Sequence, residues 1–559
     1  MAPSIMSSRR SLTRVARARC LLALIVAAIL TPTPRETQAS PVSTSPAEAW
    51  VLRRILRGEE ADLRRAFANE FDRVISARFL KSILVTPPKV VAGIPPPVRI
   101  TNATIRGELD LSDNEIQSFV QLSHCSFEDP LNFSNARFKR GLSLPDTTFR
   151  MSADFRYMEV TGILDAKGAN FWDAFFEGAT ISQHAFFTRA VFKNSFSALG
   201  ANIGRELILD EAEFTDPELW ALFDRMTVGA VAYLNRATFA GPTSFDAAKM
   251  STLAAEDVTF EKHATFESVQ IAGHARLRRA RFGGGLWMDY ADIGKSLDLS
   301  ETRFAGVAQF FSMKVGSNAV FVRSVFDDRL TMIKAEILGI LDLTEAQATS
   351  ATERKNLGGV RADIVIFDKA NFSQPYALSG LGYRVIDGES ADQLLALIDG
   401  AEGHIDAYSG LESFFQRQGL IDEAKRVHIA RRQRERHGLW PTQPGRYVWN
   451  VVQDIVAGYG QRLSRALLWS FGVLTIGILV FRKSAWMELQ KPEYEPYRDR
   501  YSAFWYSLAL LLPISGLEDA KIWRPRKDRW KASLYMRIHT ILGYLLIPIG
   551  IAAWTGIIK

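Results

Sequence analysis

The chain reads as a mainly β protein: a β-solenoid of 22-residue coils with helical caps, followed by a C-terminal α-helical membrane domain. Three observations predict this. Apolar residues recur every 11 positions through the middle of the chain, two uncharged apolar stretches stand near its C-terminal end, and one aromatic residue dominates the rest. Among 559 residues there are 35 Phe against 14 Tyr and 12 Trp. A single apolar aromatic used so often points to one repeated packing position.

The period is unbroken over Phe260, Ile271, Phe282, Ile293, Phe304, Val315, Phe326 and Ile337, each 11 residues from the last. A second series, offset by six, runs Phe266, Leu277, Met288, Leu299, Phe310, Phe321, Met332 and Leu343. The earlier half repeats it with Ile105, Ile116, Phe127, Phe138, Phe149, Val160 and Phe171, interleaved with Leu111, Leu122, Phe133, Leu144 and Phe155. An 11-residue period also marks a right-handed helical coiled coil. Here the internal steps are five and six rather than three and four, and Gly, Pro, Asn and Asp punctuate every unit. That pattern is β-like. Two periods make a 22-residue coil with four faces. Phe282, Phe304 and Phe326 then stack on one face, and Ile271, Ile293, Val315 and Ile337 on the opposite one.

The units Ala136-Arg137-Phe138, Ala169-Asn170-Phe171, Ala212-Glu213-Phe214 and Ala280-Arg281-Phe282 resemble those of pentapeptide-repeat proteins. The resemblance covers about 100–372 and implies a right-handed, four-sided β-helix. From 105 to 348 there is room for about eleven coils, a rod of roughly 50 Å at ~4.8 Å per coil. The register drifts between Phe171 and Phe260, with a spacing of ten at Ile181. Within 216–228 the run Pro217-Glu218-Leu219-Trp220-Ala221-Leu222-Phe223 is helix-like. A corner insertion is expected there, either a tolerated loop or a binding surface.

A solenoid needs its ends covered. Residues 45–99 read as an N-terminal helical cap, with Ile75, Phe79, Leu80 and Ile83 at helical spacing and Pro95-Pro96-Pro97 leading into the sheet. Residues 387–440 read as a helical hairpin, broken at Gly419 and ending on Arg431, Arg432, Arg434 and Arg436.

Residues 1–39 read as a signal peptide. Arg9, Arg10, Arg14, Arg17 and Arg19 precede an apolar run at 20–30, and Thr37-Gln38-Ala39 offers a small-residue cleavage site. A helix of that run is ~16 Å long, too short to span a bilayer. Ser8-Arg9-Arg10-Ser11-Leu12 leaves a twin-arginine route open beside plain basic charge. With Cys20 in the leader, Cys125 stands alone, so no intrachain disulfide is expected and a core thiol is.

Residues 441–559 read as the membrane domain. The stretches 466–481 and 538–558 are about 24 and 31 Å long as helices, adequate to span. Between them 501–517, with Pro513 and Gly516 near its end, is a third span or a re-entrant segment. Lys521, Arg524, Arg526, Lys527, Arg529, Lys531 and Arg537, with Arg482, Lys483, Lys491, Arg498 and Arg500, put this connection on the inner side. The basic stretch 424–465 argues the reverse. Leader and connection together place the solenoid outside.

This domain resembles a subset of bacterial pentapeptide-repeat membrane proteins. The shared motifs are Tyr506-Ser507-Leu508, Leu511-Leu512-Pro513, Trp523-Arg524-Pro525 and Gly556-Ile557-Ile558-Lys559. The resemblance implies a multi-pass protein of the bacterial inner membrane, with the solenoid on the periplasmic side. Some such proteins are labelled membrane-associated oxidoreductases, and others have a tail like a two-helix ion channel. Pro513, Ser515, Gly516, Glu518 and Asp519 are the residues that would form a pore or a surface loop. No Gly-aromatic-Gly filter lies between the helices, unlike the potassium-channel pattern.

Catalytic chemistry finds no foothold. No Gly-x-Gly-x-x-Gly opens a helix, and Gly283-Gly284-Gly285 sits in a repeat turn. The eight histidines include no His-x-x-x-His pair, and no catalytic, cofactor or metal residues are assigned. His263 and His274 either stack on one face or lie in solvated turns. Arg276, Arg278, Arg279 and Arg281 form a basic patch, an anion site or an ordinary solvated face. The expected function is a membrane-anchored β-helical interaction scaffold; a pore sensed through the solenoid and a membrane-associated oxidoreductase are the alternatives. Expected partners are the lipid bilayer, a protein on the solenoid surface and further copies of the chain, but no nucleic acid.

Overall fold

The computed structural model describes residues 45–87, 95–388, 390–401, 405–512 and 517–554. The signal peptide expected at 1–39 lies outside the described residues, as do Pro513, Ser515, Gly516 and the motif at 556–559.

Alternate residues of an extended segment point to opposite sides, so Ala280 and Phe282 go inward while Arg281 faces water. After each such step the chain turns a corner, and four steps close one coil. Every step pairs in parallel with its counterpart one coil on. Phe282 is opposite Phe304 and Phe304 opposite Phe326 on one face. On the face two corners away, Ile293 stands between Ile271 and Val315. Ala275 with Leu297, and Leu286 with Ala308, belong to the two faces between. The result is a parallel β-solenoid of about 13 turns, about 60 Å long at the usual strand spacing.

The core is a column of rings. Phe127, Phe149, Phe171, Phe192, Phe214, Phe239, Phe260, Phe282, Phe304 and Phe326 form one continuous stack, with neighbouring centroids 4.6–5.3 Å apart. Near-parallel rings at this distance are offset, which suits their quadrupoles. Phe223, Phe245 and Phe266 make a second stack, and Phe223 meets Phe239 edge-on at 81°.

One corner in each half coil uses a residue in the left-handed region. Asp257, Ser268, Arg279, Tyr290, Glu301, Ser312, Arg323 and Lys334, 11 apart, all have φ between +52° and +60°. In six of these eight corners the carbonyl of the preceding core residue accepts from the amide three residues on, as Leu277 does from Ala280 at 3.3 Å. A non-glycine residue in this region costs roughly 1–2 kcal/mol. Its amide meanwhile donates to the next coil, Arg279 to Ser300 at 2.9 Å, so the ladder holds the turn.

The drift in register is an insertion, but it is not helical. Phe171 pairs with Phe192 and Phe214 with Phe239, coils of 21 and 25 residues. Residues 215–220 fill the corner between the strands Glu213–Phe214 and Ala221–Leu222. Asp216 Oδ1 accepts the amides of Glu218 and Leu219 at 2.8 and 3.0 Å, closing a local turn. Ala221–Leu222 is claimed by the ladder between Phe196–Ser197 and Thr243–Ser244, which overrides its helical propensity.

Both ends are covered. Helices α1 (Pro46–Leu56) and α2 (Ala77–Val85) lie over the first coil. The segment also donates strands, pairing Ala61 with Ile100 and Ile75 with Ile105. Buried Glu48 ties it together: it accepts from Ser45 N at 2.9 Å, Ser76 N at 2.8 Å and Ser76 Oγ at 2.6 Å. At the other end the ladder runs past 372 to the strand Gly382–Asp387. The period breaks there because the coil from Ile337 to Ala362 is 25 residues long, with residues 349–354 at a corner. Just after it Lys355 takes an inward position, its ammonium donating to the carbonyls of Ser350 and Ser373. Helices α3 (Ala391–Gly400) and α4 (Ile405–Arg417) close this end, and Asp406 accepts the Gly380 amide at 2.7 Å. Helices α5 (Ile421–His437) and α6 (Pro444–Ala457) lead to α7 (Leu463–Phe481), α8 (Ala503–Leu511) and α9 (Trp530–Trp554). Two of these are long and apolar enough to cross a membrane, at 464–481 and 530–552, so the second begins earlier than residue 538.

Two outcomes are expected. Phe304→Ala removes a ring stacked on both sides and should cost on the order of 3–5 kcal/mol in unfolding free energy. Arg303→Ala, whose pair with Asp327 is solvated, should cost under about 1 kcal/mol. Cys125 is buried, and burial pushes its thiol pKa up to about 12. Iodoacetamide at pH 8 should leave it unmodified in the native chain and alkylate it fully in denaturant, as read by peptide mass spectrometry.

Candidate functional site

The four arginines of the basic patch lie close together in sequence but are divided by a corner of the coil. Arg276 projects outward before the corner and Arg281 after it. Arg279 is committed to Asp257, at 2.7 and 2.8 Å, and reaches Glu256 at 3.3 Å. These bonds hold the Asp257 carboxyl below its usual range. Arg278 lies 3.9 Å from Asp298. Both carboxylates come from neighbouring coils, as in Arg137–Glu159 and Arg323–Glu301.

His263 and His274 do not stack, because 11 residues is half a coil and puts them on different faces. His263 is edge-on to Trp220 at 4.9 Å and to Trp287 at 5.6 Å. Burial, with Lys262 nearby, lowers its pKa. Trp220 is supplied by the corner insertion. Gly283 and Gly284 sit where the corners of successive coils nearly touch, and a Cβ on either would strike the backbone of residues 261–263. Among the described residues no group of three or more His, Cys, Asp and Glu could hold a metal ion.

A buried polar cluster lies in the helical bundle. Helix α8, nine residues and ~13 Å long, spans less than half of a ~30 Å hydrocarbon layer. It starts beside the end of α7, where Tyr501 Oη donates to the Phe481 carbonyl at 2.6 Å. It ends on the middle of α9, with the Leu511 backbone against Gly543. The chain then returns to the end from which it entered. Tyr501 and Trp523 rings meet at 5.0 Å, and Met487–Leu489 pairs antiparallel with Trp523–Pro525. Asp519 lies exposed in the turn Glu518–Ala520 on this return.

Fully buried His539 of α9 faces Ser507 of α8. Its Nε2 is 3.0 Å from the Ser507 carbonyl and 3.4 Å from Ser507 Oγ, and its Nδ1 is 3.3 Å from Tyr535 Oη. Ser507 Oγ donates to the Leu474 carbonyl at 3.2 Å, and Tyr535 Oη to that of Val473 at 3.3 Å. The cluster thus bonds α9 to α8 and both to α7. Gly477 makes room for it, since a Cβ there would collide with Ser507 and with the His539 ring. Sequence reading passed over His539 as part of an apolar stretch. The available signals were an aromatic-to-histidine step of four and the glycines at 477 and 543.

The basic end of α5 is also paired. Glu412 of α4 meets His428 and Arg431 at 3.0 Å each, and Arg436 meets Asp454 of α6 at 2.9 Å. These contacts join the covered end of the solenoid to the bundle.

A family model described as pentapeptide repeats (9 copies) matches residues 223–270, which contain Phe239, Phe245, Phe260 and Phe266. No curated protein and no solved structure matches the chain. Within the β-solenoid, residues 223–270 are thus similar to pentapeptide repeats.

Gly477→Ala should lower the stability of the bundle in detergent by on the order of 1–3 kcal/mol, as an overpacked contact. Gly472→Ala, on the same helix with open space around it, should leave the melting of the bundle unchanged.

Proposed function

We propose that this chain is an interaction scaffold: a pentapeptide-repeat β-solenoid held at the bacterial inner membrane by its C-terminal helices. The observation that carries the anchoring is the outward face of α7 and α9. Leu467, Leu468, Phe471, Ile476, Leu479, Ile538, Ile541 and Ile551 are exposed, a surface that water disfavours and lipid accepts. The scaffold role rests on the solenoid itself. Its ends are covered, so its sides are the free surface, and its charged groups pair along the ladder. A protein partner on those sides, and assembly with further copies of the chain, belong to this reading.

The reading places α7 and α9 across the bilayer and α8 as a re-entrant half-helix. It puts 482–529 inside and the solenoid in the periplasm, because this connection is rich in Lys and Arg and a long domain translocates largely regardless of flanking charge. One observation favours a second reading as a pore: α8 is wedged between two spans, with Pro513, Ser515, Gly516, Glu518 and Asp519 following its C-terminal end. Only a shared family label speaks for oxidoreductase chemistry.

Single cysteines decide the topology. With Asp298→Cys or Asp528→Cys in a Cys125→Ser background, an impermeant maleimide should label position 298 in intact spheroplasts and position 528 only after the inner membrane is opened. The reverse pattern would place the solenoid in the cytoplasm.

A further inference from the structure

The long helix α9 begins with the wrong charges. A helix N-terminus carries a partial positive charge and favours anions. The first turn of α9 holds no acidic residue, and Arg526, Lys527, Arg529 and Lys531 crowd around it. Their one local carboxylate, Asp528, is shared loosely, 3.8 Å from Arg526 and 3.6 Å from Arg529. Lys483, just past the C-terminal end of α7, joins the same cluster through Trp486. Its ammonium is 4.8 Å from that ring and the Arg529 guanidinium 4.9 Å. The Arg526 amide donates to the Trp486 carbonyl at 2.8 Å, and the hairpin of Met487–Leu489 with Trp523–Pro525 holds both segments in place. Among the described residues Lys483 and Lys527 make no ion pair.

Such a cluster is self-repelling in isolation, yet it is fixed by a backbone bond and a strand pair rather than left on a free loop. It also stands where two apolar helices end, at the depth at which Trp side chains seat in a bilayer. We propose that Lys483, Arg526 and Arg529, around Trp486, form a binding site for the phosphate of an anionic phospholipid headgroup. The lipid phosphate supplies the negative charge that the start of α9 lacks. The guanidinium groups match its oxygens, and the acyl chains lie along the exposed Leu534 and Ile538 of α9. A zwitterionic phosphocholine headgroup brings its own cation and fits the cluster less well. The site rests on the membrane reading of α7 and α9 and specifies which lipid that membrane must contain.

The test uses the full chain in a neutral maltoside detergent, with bound lipid counted by native mass spectrometry. Phosphatidylglycerol should be retained in preference to phosphatidylcholine. The K483Q/R526Q/R529Q variant should bind it about 100-fold more weakly, at about fivefold per cation removed, while keeping the wild-type affinity for phosphatidylcholine. Asp528→Asn removes the competing carboxylate and should tighten binding of phosphatidylglycerol. It decides the matter even if the triple variant proves unstable. Equal retention of the two lipids, or an unchanged affinity in Asp528→Asn, would overturn the site. Displacement of the lipid by inorganic phosphate at equal concentration would assign it to a soluble anion and equally sink the proposal. Alkaline carbonate extraction of cell membranes is the separate arm: release of the chain would defeat the anchoring, whereas the micelle measurement reads the site alone.

Discussion

Each coil of the solenoid must return to the same four corners, so that its peptide groups meet those of the coil below. A parallel pair has evenly spaced hydrogen bonds, and a one-residue slip within a strand would turn its inward side chains outward, so changes in coil length fall at the corners. The ten-ring phenylalanine column follows from this. Rings at 4.6–5.3 Å are a consequence of strands about one sheet spacing apart, each offering the same residue at the same place. The left-handed residues at the corners follow too, because a corner that must repeat every half coil accepts local cost for the bonds it keeps in register.

Where the period fails, the ladder absorbs the change at a corner. The 25-residue coil at Phe214 to Phe239 keeps its strands paired and expels three extra residues into the loop ending at Trp220. Charge obeys the same geometry. Arginines that look like a patch in sequence find their carboxylates about one coil away, as Arg279 does at Asp257 and Arg323 at Glu301. These pairs are solvated and each contributes little to stability. Each such pair sets an outward arginine against a carboxylate of the adjacent coil.

The helical bundle answers to a different constraint. Three helices of unequal length approach closely at Gly477 and Gly543, and the polar groups that this brings inside are satisfied among themselves. Small residues at such crossings and hydrogen bonds between helices are what association within lipid requires. His539 contacts α8 through Ser507 and α7 through Tyr535, which in turn reaches Val473. The short helix α8 is held at its C-terminal end, where the Leu511 backbone packs against Gly543, while Phe504 and Trp505 at its start stay exposed. The bundle and the solenoid are joined through α5 and α6, where the apparent excess of arginine is matched by Glu412 and Asp454.

The solenoid was legible in the amino-acid sequence because a strictly local rule, two inward residues per step and a turn every five or six, repeats often enough to be read without neighbours. Phe282, Phe304 and Phe326 could be assigned to one face from spacing alone, as could the two apolar stretches of the C-terminal domain from length and charge. The helix expected around Leu219 was misread, since propensity there is outvoted by strand partners 22 or more residues away. The pairing of His263 with Trp220 and Trp287, the neutralisation of Arg279, and the clustering of Lys483 with Arg529 around Trp486 had no signal in local spacing. Each joins residues far apart in the chain, and contacts of that kind exist only once coils or helices have packed. Local periodicity determined the shape of the repeat, and tertiary packing decided which side chains meet, because meeting depends on the closure of the whole coil and on helices that return from opposite ends of the domain.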